Sequence, residues 1–142
     1  MKISRDRKGF TLIELLIVMV ILGLLAALVG PRMFGKVGKS KQKAAKAQIA
    51  LFETALDTYR LDVGKYPTTQ QGLQALRAKP DGADKWDGPY LPKDIPLDPW
   101  GNAYVYESPG KHGEYDIRAL GADKSPGGEG DDMDVTSWAN IE

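Results

Sequence analysis

The sequence predicts an α+β protein in which one long N-terminal helix packs on a small antiparallel β-sheet. Two observations carry this prediction: an apolar run at residues 10–30 that leads into a helical apolar stripe, and paired strand-like segments near the C-terminus. The 142-residue chain has 19 basic and 19 acidic residues. Residues 1–80 nevertheless carry +9 (14 − 5) and residues 81–142 carry −9 (5 − 14), so the two parts of the chain have opposite charge.

The first element is the apolar segment 10–30, which follows a basic leader. At about 1.5 Å per residue, a helix of this length spans the ~30 Å hydrocarbon core of a bilayer. A cleavable secretory signal usually has a shorter core, a signal anchor leaves the acidic Glu14 unexplained, and a buried core helix would need a larger protein around it. A carboxylate in lipid costs roughly 2 to 3 kcal/mol and needs a partner. The apolar run offers none, so we expect the partner of Glu14 to lie outside it.

The second element is an amphipathic continuation of the helix over residues 31–64. Gly30-Pro31 is expected to disrupt the backbone hydrogen bonding where this part begins. Apolar residues then recur three and four apart, which predicts a stripe packed on the domain's own sheet: Ala45, Ile49, Phe52, Leu56, Tyr59 and Val63. Gly64 is the predicted C-terminal cap.

Residues 65–142 are expected to form a small globular region, which begins with a short second helix. Thr68 and Gln71 have the spacing of a capping box, in which two residues exchange hydrogen bonds at a helix start. Leu73 and Leu76 would supply the apolar side of this helix.

The remainder predicts a long loop and three strands. Prolines recur between residues 80 and 101, so regular structure is not expected there. Several apolar side chains can anchor this loop on the core: Trp86, Tyr90, Leu91, Ile95, Leu97 and Trp100. Segments 103–106 and 115–120 predict a hairpin, and residues 135–138 predict a third short strand.

After the hairpin, five carboxylates crowd the twelve residues 123–134: Asp123, Glu129, Asp131, Asp132 and Asp134. Such groups repel one another unless water solvates them or a cation bridges them. Ca²⁺ would suit them because it accepts several oxygen ligands, including backbone carbonyls, in irregular geometry. The spacing is not that of an EF-hand, and a single β-roll-like repeat cannot stack. The residues alone therefore leave both a solvated acidic surface and a cation site open.

No arrangement of residues indicates catalysis. The chain has no cysteine, and its single histidine, His112, lies in a predicted Gly/Pro turn without the spacing of a Ser-His-acid or zinc site. The carboxylates of the acidic loop lack the apolar surroundings that would separate their pKa values for acid–base work. We therefore expect His112 to be an ordinary turn residue and the protein not to be an enzyme.

The junction Lys8-Gly9-Phe10-Thr11-Leu12-Ile13-Glu14 resembles the leader-peptide junction of type IV pilins and type II secretion pseudopilins. The resemblance implies that a prepilin peptidase cleaves after Gly9 and that the new amino group of Phe10 is methylated. It also implies that Glu14 pairs with the positively charged N-terminus of a neighbouring subunit during assembly. That pairing would supply the missing counter-charge.

Later motifs are similar to those of the major pseudopilins within this family: Asp62-Val63-Gly64-Lys65-Tyr66-Pro67-Thr68-Thr69-Gln70-Gln71-Gly72-Leu73, Asp98-Pro99-Trp100-Gly101-Asn102, Ser108-Pro109-Gly110 and Leu120-Gly121-Ala122-Asp123. The resemblance spans almost the whole chain and implies a calcium ion in the acidic loop. The implied ligands are the side chains of Asp123, Asp132 and Asp134 and the carbonyls of Leu120 and Ser125, with Asp131 as the alternative to Asp132. The ion would take the place of a disulfide in a periplasmic domain without cysteine.

The resemblance further implies the major structural subunit of a periplasmic pseudopilus, which drives export of folded proteins through the outer membrane. The alternatives are a type IV pilus or minor pilin subunit, and a membrane-tethered calcium-binding module. The implied partners are the protein itself, minor pseudopilins, prepilin peptidase, the inner-membrane assembly platform and inner-membrane lipid.

The implied organisation is a cleaved leader (1–9), a single inner-membrane span and filament core (10–30), the helix continuation (31–64) and a periplasmic region (65–142). The basic run from Lys36 to Lys46 has no aromatic side chain within it and follows the predicted membrane helix, so a face toward lipid headgroups or the filament is favoured over nucleic acid.

Overall fold

The computed structural model of the protein describes residues 9–141. Its elements in chain order are helix α1 (Leu12–Val63), a 3₁₀-helix (Leu73–Leu76), strands β1 (Val105–Glu107) and β2 (Asp116–Ala119), a second 3₁₀-helix (Gly130–Asp132) and strand β3 (Val135–Thr136). The predicted α+β class, with one long N-terminal helix and a small antiparallel sheet, is confirmed.

The chain divides into two compact units, residues 1–36 and 37–142. The described part of the first unit is dominated by exposed apolar side chains, because every large one from Phe10 to Phe34 is at least 50% exposed. Within residues 9–141, α1 is the helix that is long and apolar enough to cross a membrane by length and composition. An apolar surface of this extent needs lipid or an apolar protein partner to cover it.

Helix α1 runs without interruption through Pro31, so the local loss of backbone hydrogen bonding expected at Gly30-Pro31 does not end it. Proline removes a single backbone donor, and the neighbouring turns on both sides retain their own hydrogen bonds. At the other end the prediction is confirmed. Gly64 has a φ of 89°, and its N–H donates to the Arg60 carbonyl at 2.8 Å, which caps the helix after Val63.

The core of the second unit lies between α1 and the three-stranded sheet. The predicted helix stripe is buried from Ala45 to Tyr59, whereas Val63 is partly buried at the margin. The sheet contributes four buried apolar side chains: Tyr106, Ile117, Ala119 and Val135. Burial of each large side chain stabilises the fold by about 1.5 to 3 kcal/mol. The helix is therefore fixed to the sheet by its periodic apolar face.

The sheet has the order β1-β2-β3, with antiparallel pairing throughout. Tyr106 pairs with Ile117, and Ala119 pairs with Val135. The predicted hairpin and third strand are confirmed, although the strands are shorter than expected. The central strand β2 leads directly into the acidic loop, and β3 leaves it, so the sheet holds both ends of that loop.

The loop from residue 80 to residue 101 contains no helix or strand, as predicted. Trp86 anchors it, because its indole N–H donates to the Ala75 carbonyl at 2.7 Å. Leu97 was wrongly expected to be an anchor and is 63% exposed. The neighbouring Asp98 is buried instead, and it accepts the backbone N–H of Asn102 at 2.8 Å, so a polar turn sets the direction of the chain there.

Thr68 and Gln71 exchange hydrogen bonds as predicted for a capping box. The Thr68 N–H donates to the Gln71 side chain at 2.9 Å, and the Gln71 N–H donates to the Thr68 hydroxyl at 3.2 Å. The element that follows, Leu73–Leu76, is a 3₁₀-helix whose N-cap is Gly72 without a side-chain hydrogen bond, so the Thr68–Gln71 pair lies in the preceding turn and does not cap the helix as expected.

Candidate functional site

The N-terminal junction is held by a reciprocal pair at the start of α1. The Thr11 N–H donates to Glu14 Oε2 at 2.9 Å, and the Glu14 N–H donates to Thr11 Oγ1 at 3.2 Å. This is a capping box, which satisfies two amide donors that a helix start leaves free. The expectation that the apolar segment offers Glu14 no partner was therefore wrong. The spacing Thr-x-x-Glu in the sequence was the signal for it.

The predicted cleavage position lies just before this box. Gly9 and Phe10 precede the helix, and Phe10 is 87% exposed. Residues 1–8 of the predicted leader lie outside the described residues. An acidic group in the first helical turn also interacts favourably with the helix dipole. The junction thus presents an accessible Gly9-Phe10 bond next to a fixed carboxylate.

The predicted calcium ligands lie in the connection between β2 and β3. Leu120 directly follows β2, and Asp134 directly precedes β3. Because Ala119 pairs with Val135 across the antiparallel ladder, the sheet brings Leu120 and Asp134 next to each other. Two of the predicted ligands are therefore positioned by strand register.

Asp134 has a buried carboxylate oxygen that could bind a cation. Its Oδ1 atom is buried and has no hydrogen-bond partner in the described structure. Its backbone N–H donates to the Gly127 carbonyl at 3.2 Å, which fixes the residue in the loop. Burial of a carboxylate oxygen without a donor or a cation is unfavourable. This oxygen fits a cation ligand.

Asp123 and Ser125 form one compact turn at the other side of the loop. Asp123 Oδ1 accepts the Ser125 N–H at 3.0 Å, and the Ser125 hydroxyl donates to the Asp123 carbonyl at 3.3 Å. Lys124, between them, has a φ of 58°, which is uncommon for a residue other than glycine. The turn therefore keeps two further predicted ligands together.

The two alternatives for the third carboxylate lie in different surroundings. The Asp131 side chain lies against α1 at Gly38, where any Cβ would collide with it. The Asp132 backbone instead lies against Gly121, where a Cβ would come within 2.8 Å of the Asp132 carbonyl oxygen. The Asp131 side chain therefore packs beside helix α1, whereas the Asp132 backbone packs against the start of the loop at Gly121.

The acidic side chains of this loop do not form a cluster in the described part of the chain. Among residues 9–141, no three histidine, aspartate or glutamate side chains form a group that could hold a metal ion. The side chains of Asp123, Glu129 and Asp132 are exposed. The structure therefore places the two ends of the loop, Leu120 and Asp134, next to each other. It does not bring the five acidic side chains of the loop close to one another.

A second polar cluster surrounds Asp116 of β2, which is 5% exposed. Asp116 Oδ2 accepts the Lys111 N–H at 2.9 Å and lies 2.9 Å from His112 Nδ1. The His112 ring stacks on Trp138, with centroids 3.9 Å and planes 5° apart. His112 lies in the loop between β1 and β2, as expected of a turn residue, and it also joins this loop to the C-terminal segment. Its four-residue spacing from Asp116 was the available signal.

The Asp116 cluster gives a testable pH dependence. Burial raises the pKa of Asp116, but hydrogen bonds from the His112 ring and from the Lys111 and His112 backbone outweigh it, so the pKa lies below the ordinary 3.8. A lowered pKa stabilises the fold at pH values above the unfolded-state pKa, and this contribution is lost as the pH falls through the folded-state value.

We expect Asp116→Asn to lower the free energy of unfolding by about 1 to 3 kcal/mol at pH 7, because an amide cannot accept all of these hydrogen bonds. The difference from wild type should shrink as the pH falls below 3.8. Denaturant unfolding of the full chain in detergent measures it. Asp94→Asn is the control, since the Asp94 side chain is 97% exposed. Equal stability of the two variants at neutral pH would contradict this role of Asp116.

Two family models match the chain. Residues 32–138 match "Type II secretion system (T2SS), protein G", and residues 4–30 match "Prokaryotic N-terminal methylation motif". The second match covers the predicted cleavage junction and the apolar start of α1. The first covers the globular region with the acidic loop.

The chain is also similar to individual known proteins over nearly its full length. The chain is 46% identical over 139 residues to the type II secretion system core protein G of Pseudomonas aeruginosa, covering 96% of this chain and 98% of the relative. It is 47% identical over 141 residues to the core protein G of Vibrio cholerae, covering 97% and 96%. The fold is similar to the crystal structure of the major pseudopilin from the type 2 secretion system of enterohaemorrhagic Escherichia coli. The TM-score is 0.64 at 35% identity, over 76% of this chain and 95% of that chain.

Proposed function

Because this chain belongs to the protein G family of type II secretion systems, the major pseudopilins, we propose that its mature form begins at Phe10 and polymerises through α1 into a periplasmic filament. Proteins of this family are structural subunits and not enzymes. The observation that carries the proposal is the junction from Gly9 to Glu14, which opens directly into an exposed apolar helix. The family match over residues 32–138 favours type II secretion over the type IV pilus alternative.

Assembly uses the carboxylate that the capping box holds in place. Removal of residues 1–9 would create a positively charged amino group at Phe10. In the membrane, the attraction between this group and Glu14 of a neighbouring copy is stronger than in water, because the effective dielectric constant is lower. A carboxylate accepts several hydrogen bonds, so Glu14 can keep the Thr11 N–H while it accepts the amino group.

The proposed partners follow from this route. Prepilin peptidase would remove the leader, the inner-membrane assembly platform would extract the subunit, and inner-membrane lipid would surround residues 10–30 beforehand. Further copies of the chain and minor pseudopilins would form the filament. Residues 31–64 would continue the helix away from the membrane, and residues 65–142 would lie in the periplasm.

We also propose a calcium site in the acidic loop. The residues that would hold it are the side chains of Asp123, Asp132 and Asp134 and the carbonyls of Leu120 and Ser125. Their all-oxygen donor set suits Ca²⁺. The unpartnered Asp134 Oδ1 and the adjacency of Leu120 and Asp134 support the assignment. Asp132 is preferred to Asp131 because the latter lies against the helix at Gly38. When bound, the ion would supply the positive charge that these carboxylates lack.

The proposed topology can be tested by cysteine labelling, because the chain has no cysteine of its own. Gln70→Cys places a thiol at an exposed position of the globular unit. We expect a membrane-impermeant maleimide to label it in intact spheroplasts. Ser4→Cys, in cells without the peptidase, is the matched control, and it should be labelled only after lysis. A Gln70→Cys thiol that also requires lysis would contradict the periplasmic placement.

A further inference from the structure

One face of helix α1 holds the acidic loop and the C-terminal segment through residues spaced four apart. These residues are Gly38, Gln42 and Lys46, and we call them the helix seat. Positions four apart lie one above the other on a helix, so the seat is one continuous strip. It contacts the chain at two places, which lie on either side of Asp134 in sequence.

Lys46 makes the contact on the C-terminal side. Its ammonium group donates to the carbonyls of Thr136 at 2.6 Å, Ala139 at 2.7 Å and Ser137 at 3.4 Å. An ammonium has three donors, and all three have a main-chain acceptor here. The side chain is partly buried, so these carbonyls replace water that it has lost. Lys46 therefore fixes the backbone that leaves β3.

Gln42 and Gly38 make the contact within the loop. Gln42 is 7% exposed, and its Nε2 donates to the Gly130 carbonyl at 2.5 Å. One turn earlier, the absence of a side chain at Gly38 makes room for the Asp131 carboxylate. Both contacts fall on the 3₁₀-helix Gly130–Asp132, which contains the proposed ligand Asp132.

We propose that the helix seat is a positioning element for the calcium loop and that Lys46 is its principal anchor. This inference rests on the proposed calcium site. A loop whose backbone is already fixed on both sides loses less conformational freedom when an ion binds, so the seat raises the affinity. Coupling of this kind is reciprocal, and a bound ion should in turn tighten the docking of the loop on α1.

If only its charge mattered, Lys46 would lower the affinity of the loop for calcium. A positive group near a cation site repels the ion, so its removal should tighten calcium binding. Lys46 can support the site only through the position that it gives to the backbone. A variant pair that removes the same charge from two positions on the helix separates the two effects.

The test compares Lys46→Met with Lys43→Met in the full chain solubilised in detergent. Lys43 is exposed and lies one turn earlier on the same helix, so its variant loses the same charge but keeps the carbonyl contacts of Lys46. Isothermal titration calorimetry with CaCl₂ measures the Kd. We expect that of Lys46→Met to exceed that of Lys43→Met by about tenfold or more. Amide hydrogen exchange in residues 126–139 should be faster only in Lys46→Met, and Lys46→Arg should recover part of the affinity.

Equal Kd values for the two lysine variants would overturn the role of the seat while leaving the calcium site intact. Absence of calcium binding in the wild-type chain would instead overturn the calcium proposal and this inference with it. If Lys46→Met does not fold, Gln42→Met replaces it, with Gln70→Met as the control at an exposed glutamine. A Gln42→Met Kd equal to that of its control would then also overturn the seat.

Discussion

Filaments should be lost when Glu14 is replaced by alanine, while membrane insertion and leader removal continue. The variant removes the only carboxylate between residues 10 and 30. It therefore also removes the proposed counter-charge for the Phe10 amino group of a neighbouring copy. We expect the filament yield to fall at least about tenfold, because a loss of ~1.4 kcal/mol at each subunit contact already corresponds to that factor. Quantification of filaments sheared from cells, against the membrane-bound pool, measures the effect.

Glu14→Gln separates the charge of this residue from its capping role. The amide oxygen can accept the Thr11 N–H as the carboxylate does, and Gln is common at this position of capping boxes. The negative charge is absent, so we expect Glu14→Gln to assemble as poorly as Glu14→Ala. Thr11→Ala keeps the charge and loses the hydroxyl of the box, and it should assemble better than either. A wild-type filament yield from Glu14→Gln would refute the proposed pairing.

Calcium should raise the melting temperature of the protein, and chelator should lower it. An ion that binds only the folded state at one hundred times its Kd stabilises by about 2.7 kcal/mol. For a domain of 60 to 100 residues, each kcal/mol shifts the midpoint by roughly 4 to 8 °C. Magnesium should substitute poorly, since it requires tighter octahedral geometry and retains its waters. Thermal unfolding of the full chain in detergent, with CaCl₂, MgCl₂ or chelator, measures the shift.

Single substitutions distinguish ligands from bystanders in this loop. Asp134→Ala and Asp123→Ala should each abolish the calcium-dependent increase in melting temperature. Glu129→Ala removes the same charge from the same loop and should keep most of it, because Glu129 is not among the proposed ligands. If the wild-type protein melts at one temperature with calcium and with chelator, the loop is a solvated acidic surface.

The elements that could be predicted from the sequence depend on local patterns. The three- and four-residue spacing from Ala45 to Tyr59 predicts a buried helical face, and that face forms the core. The Gly64 cap and the hydrogen bonds between Thr68 and Gln71 were also predicted correctly, since both involve residues a few positions apart. The continuation of the helix past Pro31 was expected from the apolar stripe that follows it, and a proline costs one hydrogen bond without ending a long helix.

The candidate sites were predictable only in part, since their partners are distant in sequence. The acidic composition of the loop left both a solvated surface and a cation site open. Strand register, which the sequence does not display, places Leu120 beside Asp134. Lys46 contacts a carbonyl 90 positions away, and His112 stacks on Trp138, so neither contact follows from a local pattern. The Thr11–Glu14 pair was different, because its three-residue spacing was visible in the chain.

The central claim is that this chain is processed at Gly9-Phe10 and that the processed form builds the filament. Intact-mass spectrometry of protein recovered from sheared filaments tests it most directly. We expect one species that lacks residues 1–9 and carries a single methyl group on the amino group of Phe10. Filaments composed of chains that retain residues 1–9 would contradict the account.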